Sequence, residues 1–227
     1  MMPEGRTQAV LFDIDGTLID TGGASDRAWK RAFKELQGVD VDVPAVTGKG
    51  VPDPEVGRVV FREAIGREPT DEEADALMRR RLDHLPEEVK NSPGYVVKDC
   101  VVETLEKLRA DGILLGLTTG NVEEAAHIKL ARADLDRFFS FGGYGSDSRD
   151  RTELTKKAIE RAEQAFGGKL DRARCFSCGD TPRDVEGAHD AGIRCVGITL
   201  GRFGREDLAD ADAVVDAFPD LLRALPQ

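Results

Sequence analysis

Three short apolar runs in the sequence end at polar residues that are suited to acid, base or metal chemistry. Asp13 and Asp15 follow the first run, Thr119 ends the second and Asp180 follows the third. In open α/β sheets, ligands bind at the carboxyl ends of the strands. If the three runs are neighbouring strands, these side chains meet at one edge of the sheet.

The first acidic pair, Asp13 and Asp15, lies two residues apart and is followed by Gly16. Two unpaired carboxylates this close repel each other, and both stay ionised only if a cation or hydrogen-bond donors offset them. The glycine permits a tight turn that aims both at one point. The structural alternative is an ordinary Asx turn after a strand.

A second acidic pair, Asp180 and Asp184, begins a predicted helix. Residues four apart share a helix face, and Thr181 and Pro182 suit the N-cap and the first helical position. With the first pair they make an all-oxygen acidic cluster. Such a cluster suits Mg²⁺, which proteins hold through few carboxylates together with substrate phosphate.

The elements that must position these residues alternate between apolar and amphipathic stretches. This alternation predicts an α/β fold with βαβ units around a parallel sheet. The predicted strands are 8–12, 113–118, 138–141, 174–178, 194–198 and 213–215. The predicted helices between them are 99–110, 122–131, 153–166 and 183–190.

The segment 21–91 breaks this alternation and reads as helices alone, at 25–36, 54–65 and 71–85. Glycines at 22 and 23 open it, and the Ser-Pro-Gly sequence at 92–94 closes it. We therefore expect a core formed by residues 1–20 and 92–227, and a helical insert, residues 21–91, over the end of the sheet.

The composition excludes several classes of protein. Forty-three acidic against thirty-two basic residues give a formal charge of -11, which disfavours nucleic acid as a partner. No apolar run approaches the roughly 20 residues of a membrane-spanning helix, and the first residues lack a secretory signal pattern. Four cysteines are too few for a disulfide framework. We expect a cytoplasmic protein, monomeric or homodimeric, without nucleic-acid or membrane partners.

Three motifs, taken in order, resemble those of the haloacid dehalogenase-like hydrolase superfamily. Asp13 to Thr17 match its Asp-x-Asp-Gly-Thr motif, Thr119 matches the Ser or Thr that ends its second core strand, and Gly179 to Asp184 match Gly-Asp-x-x-x-Asp. The resemblance spans essentially the whole chain. It is nearest to the phosphoglycolate phosphatase and β-phosphoglucomutase-like branch, and it implies a Rossmann-like parallel-sheet core with a small inserted α-helical cap.

The resemblance also implies a role for each acidic residue. Asp13 is expected to be the nucleophile that forms an aspartyl-phosphate, and Asp15 the acid and base that protonates the leaving oxygen and activates water. The expected cofactor is Mg²⁺, held by Asp13, Asp180, Asp184 and the backbone carbonyl of Asp15.

The same resemblance assigns phosphate binding to Thr119 and to the backbone near Gly120 and Asn121. The third motif of the family, a Lys followed by Pro-x-Pro, is absent. By position, Arg151 is the best substitute for that lysine, because an arginine can supply the cation between the nucleophile and the phosphate. Lys156 is the alternative.

Other candidates have simpler explanations. Cys175 and Cys178 lie three apart in a predicted buried strand, so their side chains point to opposite faces and suit packing better than zinc. Trp29 and Phe33 are expected to form the core of the insert. Lys49, flanked by glycines, is expected to contact the leaving group of the substrate, with a surface turn as the alternative.

The leading functional hypothesis is a Mg²⁺-dependent phosphatase. Its substrate would be a small phosphorylated metabolite, phosphoglycolate-like, processed through an aspartyl-phosphate. The presence of Asp15 argues against dehalogenase chemistry, which lacks the second aspartate. A phosphosugar mutase of the β-phosphoglucomutase type keeps every core residue seen here and stays open. A non-catalytic binding protein of the same fold would normally have lost a carboxylate of the cluster.

Overall fold

The computed structural model describes residues 6–48 and 50–226. In the described chain the strands are β1 (Ala9–Phe12), β2 (Ile19–Asp20), β3 (Val96–Val97), β4 (Leu114–Thr119), β5 (Gly142–Tyr144), β6 (Cys175–Gly179), β7 (Arg194–Ile198) and β8 (Ala213–Val215). The helices are α1 (Ala24–Gln37), α2 (Val43–Val46), α3 (Asp53–Ile65), α4 (Asp71–Asn91), α5 (Val101–Ala110), α6 (Glu123–Ala131), α7 (Arg151–Phe166), α8 (Pro182–Asp190) and α9 (Phe218–Ala224).

Six of the strands form one parallel sheet in the order β5-β4-β1-β6-β7-β8. Helices α5, α6 and α9 bury apolar side chains against one face, and α7 and α8 cover the other. Burial on both faces explains why the central strands are continuous apolar runs. The predicted α/β class and the parallel-sheet core are therefore confirmed.

The cysteine pair of β6 follows this two-faced packing. Cys175 packs with Ala9 and Leu11 in the core on one face of the sheet, whereas Cys178 packs with Phe12 on the other. Both side chains are buried and free, and burial raises the pKa of the Cys178 thiol. The structure thus supports packing rather than zinc binding for this pair.

Helices α1 to α4 lie between β2 and β3 and have an apolar core of their own. Trp29, Phe33, Phe61 and Leu77 are buried in that core. A second cluster, which includes Leu85 of α4 and Ala125 of α6, fastens these helices to the sheet domain. The inserted helical element of the predicted fold is confirmed, whereas the boundaries at 20 and 92 stay a prediction.

The chain enters the helical insert after β2 and leaves it before β3, and these two connections contact each other. Strands β2 and β3 pair antiparallel, and a Cβ atom built on Gly22 would lie 2.4 Å from the carbonyl carbon of Gly94. The Ser92 hydroxyl donates to the carbonyl of Thr21 at 2.7 Å. Such close backbone approach requires glycine and explains the glycines at both ends of the segment.

Two of the predicted elements differ clearly from the structure, and β2, β3, α2 and α9 were not predicted. Residues 138–141 were expected to form a strand, but a 3-10 turn covers Asp136–Phe138 and the strand begins at Gly142. At β5 helix α7 approaches so closely that a Cβ atom on Gly143 would lie 1.8 Å from the carbonyl oxygen of Leu154. Helix α4, expected to end at Leu85, continues through Pro86 to Asn91 because its last turns also bury apolar side chains.

Candidate active site

The three polar strand ends meet at the carboxyl edge of the sheet. Strands β4, β1 and β6 are neighbours, so Thr119, Asp13 and Asp180 lie side by side. All three are buried, and the Asp13 amide donates to the carbonyl of Cys178 at 3.0 Å. The ends of the three apolar strands thus bring these polar side chains close together.

Three carboxylates at this edge form a compact cluster. Asp13, Asp180 and Asp184 each offer an oxygen within 4.8 Å of the others. Glycines make room for them, since a Cβ atom on Gly201 would lie 1.8 Å from Oδ2 of Asp180 and one on Gly179 would lie 2.3 Å from Cγ of Asp184. An all-carboxylate, glycine-walled cluster has the donor chemistry that a hard divalent cation prefers.

Crowding and burial shift the titration of these groups. Burial raises the pKa of Asp13 to about 7, with the charges of Asp184 and Asp15 adding to the effect and Arg151 opposing it. Burial and the charges of Asp13 and Asp184 raise the pKa of Asp180 to about 8. These carboxyl groups therefore ionise together less readily than free ones, and a bound cation would favour their ionised forms.

Arg151, at the first position of α7, is the cation among these carboxylates. Its Nη2 lies 3.0 Å from Oδ1 of Asp13 and also contacts Asp184. Asp184 and Asp13 raise the pKa of Arg151 against the opposing effect of its burial. Lys156, the alternative, is exposed and pairs with Glu153 at 2.9 Å. The structure brings Arg151, and not Lys156, to the cluster.

Thr119 and Asn121 form the other side of the site. Oγ1 of Thr119 accepts hydrogen bonds from Nδ2 and from the backbone amide of Asn121, at 2.9 and 3.3 Å. A hydroxyl has one hydrogen and two lone pairs, so these two contacts leave the Thr119 hydrogen available to donate. The preceding Thr118 instead contacts Thr155 at 3.1 Å on the opposite side of the strand.

Asp15 lies beside Asn121 and a lysine that the sequence analysis did not single out. Its Oδ2 accepts from Nδ2 of Asn121 at 2.8 Å and from Nζ of Lys129 at 2.6 Å. Lys129 is buried on α6 in line with Ala125 and Ala126. The signal in the sequence was this lysine on the apolar face of a helix, where it requires a buried anionic partner.

The site opens into a cavity of about 450 Å³ between the sheet edge and the helical insert. This volume suits a small ligand. From the sheet domain it is lined by Asp13, Asp15, Thr119, Gly120, Asn121, Lys129, Asp180 and Arg202, and from the insert by Trp29, Thr47, Gly48, Gly50 and Asp53, among others. Lys49 lies outside the described residues.

The amino end of α3 joins the insert to the loop after β4. The Asp53 amide donates to the carbonyl of Gly120 at 2.8 Å, and the Asp53 carboxylate accepts from the amide of Val122 at 3.0 Å. The buried Arg81 donates to the same carboxylate at 2.8 Å and stacks over Trp29. Both the backbone amide and the carboxylate of Asp53 therefore form hydrogen bonds within this joint between α3 and the loop after β4.

Comparison with known families decides the assignment. The model of the haloacid dehalogenase-like hydrolases matches residues 7–192, which include every motif described above. The chain belongs to the haloacid dehalogenase-like hydrolases. The resemblance stated from its motifs is thus confirmed, and so is the expectation of an enzyme.

Several curated relatives of this haloacid dehalogenase-like hydrolase are phosphoglycolate phosphatases. The protein of that name from Salmonella typhimurium is 28% identical over 238 residues, covering 96% of this chain and 92% of the relative. The one from Agrobacterium fabrum is 28% identical over 229 residues, covering 95% and 91%. The relatives agree with the predicted enzyme class, a phosphatase.

Solved structures share the fold of this haloacid dehalogenase-like hydrolase. A predicted phosphoglycolate phosphatase from Haemophilus somnus superposes with a TM-score of 0.76 at 22% identity, covering 97% of this chain and 99% of the other. A β-phosphoglucomutase from Clostridium difficile gives 0.72 at 17% identity, covering 95% and 93%. The same architecture thus occurs in a structure named phosphoglycolate phosphatase and in one named β-phosphoglucomutase, the two activities of the predicted branch.

Proposed function

We propose that this hydrolase is a Mg²⁺-dependent phosphatase that releases phosphate from a small phosphorylated metabolite through an aspartyl-phosphate on Asp13. The observation that carries the proposal is the convergence of Asp13, Thr119 and Asp180 at three neighbouring strand ends, with Arg151 beside the nucleophile. The proposed enzyme is cytoplasmic and acts as a monomer or homodimer.

In the first half of the proposed reaction, a carboxylate oxygen of Asp13 attacks phosphorus. The bond between phosphorus and the ester oxygen breaks, and the carboxyl group of Asp15 gives its proton to the departing oxygen. The Thr119 hydroxyl and the loop backbone at Gly120 and Asn121 hold the phosphoryl oxygens. Arg151 offsets the negative charge that gathers between Asp13 and the phosphoryl group.

In the second half, water attacks the phosphorus of the aspartyl-phosphate. Asp15, now a carboxylate, takes the proton of this water as the new bond forms. The bond between phosphorus and the Asp13 oxygen breaks, which releases inorganic phosphate and restores both aspartates. Asp15 lines the cavity and has about a third of its side chain exposed, so water from the cavity has access to it.

The residues proposed to hold Mg²⁺ are Asp13 and Asp180 through their side chains, Asp15 through its backbone carbonyl, and Asp184 directly or through water. Their fit rests on the crowded carboxylates and on the glycine walls around them. When bound, the cation supplies positive charge that stabilises the phosphoryl oxygens.

Mg²⁺ is expected to stabilise the EDTA-treated protein. At about 100 times the dissociation constant, binding adds about 2.7 kcal/mol, which corresponds to a rise in melting temperature of roughly 5–10 °C. Differential scanning fluorimetry over a Mg²⁺ titration measures it. Asp180→Asn should lose the shift, and Asp210→Asn, an exposed control, should keep it. A melting temperature unaffected by Mg²⁺ in the wild type would exclude the proposed metal site.

The substrate proposal is an ester with an anionic leaving group, phosphoglycolate-like. Arg202 lines the cavity, and in the described part of the chain no ion pair involves this exposed side chain. The loop that carries it lies against the carboxylate of Asp180 at Gly201. The names of the curated relatives give additional support, and Lys49 stays a predicted second contact.

Arg202→Ala is expected to raise KM for phosphoglycolate roughly tenfold, because it removes an interaction of about 1.4 kcal/mol with the carboxylate. The KM for p-nitrophenyl phosphate should change little, since that ester has no anionic group beyond its phosphate. Arg205→Ala is the matched control, because Arg205 is exposed and pairs with Asp216. Equal effects on both esters would mean that Arg202 does not bind the leaving group.

Incubation with glucose 1-phosphate distinguishes the proposed phosphatase activity from mutase activity. Free phosphate and glucose 6-phosphate are followed together, alongside phosphoglycolate as the phosphatase substrate. We expect phosphate release to dominate with both esters. Formation of glucose 6-phosphate without matching phosphate release would overturn the phosphatase proposal in favour of the mutase.

A further inference from the structure

Lys129 is a buried lysine at the candidate active site to which the proposed reaction gives no role. Its side chain is 3% exposed, yet it lines the cavity. A lysine is rarely buried to this extent without a specific anionic partner. Its ammonium group lies 2.6 Å from Oδ2 of Asp15, the carboxylate proposed to move the proton in both half-reactions.

The contact is part of a convergent arrangement on one oxygen. Oδ2 of Asp15 receives Nζ of Lys129 from α6 and Nδ2 of Asn121 from the loop after β4. Asn121 is itself held by Oγ1 of Thr119 at 2.9 Å. Two donors from different elements fix both the position and the rotation of the carboxylate.

The lysine is also held firmly in its own helix. The backbone carbonyl of Lys129 accepts a hydrogen bond from the Tyr95 hydroxyl at 2.7 Å, and neighbouring Leu130 is fully buried in the sheet core. A reacting group is held precisely when its supporting residues are locked by packing and hydrogen bonds on a rigid element, as Lys129 is.

We propose that Lys129 is a positioning residue: with Asn121 it holds Asp15 where its carboxyl group meets the departing oxygen and the attacking water. This inference rests on the proposed function, in which Asp15 protonates the leaving oxygen as its bond to phosphorus breaks, and takes the water proton as the aspartyl-phosphate is hydrolysed. Lys129 itself neither gives nor receives a proton in either step.

The test is Lys129→Met, which keeps an unbranched side chain one heavy atom shorter and removes its charge. With phosphoglycolate, whose glycolate is a poor leaving group, kcat should fall about 10- to 100-fold, as is typical when an orienting partner is lost. With p-nitrophenyl phosphate the phosphorylation step needs little proton donation, so only the hydrolysis step slows. Rapid-mixing measurements should then show a burst of about one p-nitrophenolate per active site before a slow steady state.

Three further variants distinguish a positioning role of Lys129 from an effect on folding or on substrate binding. Lys129→Arg, which keeps a cation, should recover most of the rate and abolish the burst. Lys157→Met, at an exposed lysine that pairs with Glu160, should behave as the wild type. In an Asp15→Asn background, Lys129→Met should cost little more, because its effect acts through Asp15. A raised KM with unchanged kcat, a uniform loss without a burst, or full additivity with Asp15→Asn would each overturn the inference.

The Asp15→Asn protein also separates this inference from the proposed function. If Asp15→Asn retained wild-type kinetics, the acid and base assignment itself would fail. If Asp15→Asn were impaired with a burst while Lys129→Met behaved as the wild type, the assignment would stand and the inference about Lys129 would be wrong.

Discussion

Asp13→Asn is expected to reduce kcat on the order of 10⁵-fold or more, as removal of a covalent nucleophile does in other enzymes. An amide nitrogen or oxygen does not attack phosphorus as the carboxylate does, so no aspartyl-phosphate forms. The amide also removes one of the three carboxylates of the cluster and weakens the proposed Mg²⁺ site. Steady-state phosphate release with phosphoglycolate and with p-nitrophenyl phosphate measures the loss.

The same variant should remain folded, which separates lost chemistry from lost structure. The raised pKa of Asp13, about 7, means that its ionisation destabilises the metal-free fold progressively as pH rises from about 4 to 7. Asp13→Asn removes that penalty, so in EDTA its melting temperature at pH 8 should equal or exceed that of the wild type.

Asp20→Asn provides the control for Asp13→Asn. Asp20 also lines the cavity but is half-exposed and pairs with Lys98, so its amide variant should keep most of the activity. Near wild-type turnover in an Asp13→Asn protein of verified mass would remove Asp13 from the role of nucleophile.

Arg151→Ala is expected to lower kcat about 10²- to 10³-fold, the effect of losing one donor that stabilises charge in the transition state. It should also destabilise the protein by roughly 3–5 kcal/mol, because it leaves Asp13 and Asp184 without their buried cation. Mg²⁺ should restore part of that stability. Kinetics and thermal melting with and without Mg²⁺ measure both effects.

Two further variants, one that introduces a lysine and one that removes a lysine, complete this experiment. Arg151→Lys keeps a positive charge but not the geometry of the guanidinium group, so its kcat should lie between that of the wild type and that of Arg151→Ala. Lys156→Ala should lose little, since Lys156 is exposed on α7. A large loss in Lys156→Ala with a mild one in Arg151→Ala would transfer the third-motif role to the lysine.

The strand ends could be predicted because each apolar run stops where its side chains leave the sheet. Asp13, Thr119 and Asp180 therefore follow directly from the hydropathy pattern and the motifs. Strand β5 was missed because its Gly-Gly-Tyr sequence carries little strand preference, and its position depends on how closely α7 approaches Gly143.

The contacts of Lys129 and Asp53 depend on tertiary structure that no local pattern encodes. Lys129 and Asp15 are 114 positions apart, and Asp53 reaches a loop 69 positions away at Val122. In the sequence, the apolar helix face around Lys129 indicates only that this lysine needs an anionic partner, and not which residue that partner is. The carboxylate of Asp53 accepts hydrogen bonds from Arg81 and from the amide of Val122.

The joint between Asp53 and residues 120–122 links docking of the insert to occupancy of the proposed phosphate site. One side of this loop holds α3, and the other carries the Thr119 and Asn121 contacts. Whatever factor a docked α3 contributes to phosphate affinity, bound phosphate must contribute to docking. In the proposed enzyme, a docked α3 that favours phosphate binding would, on undocking, also favour release of inorganic phosphate.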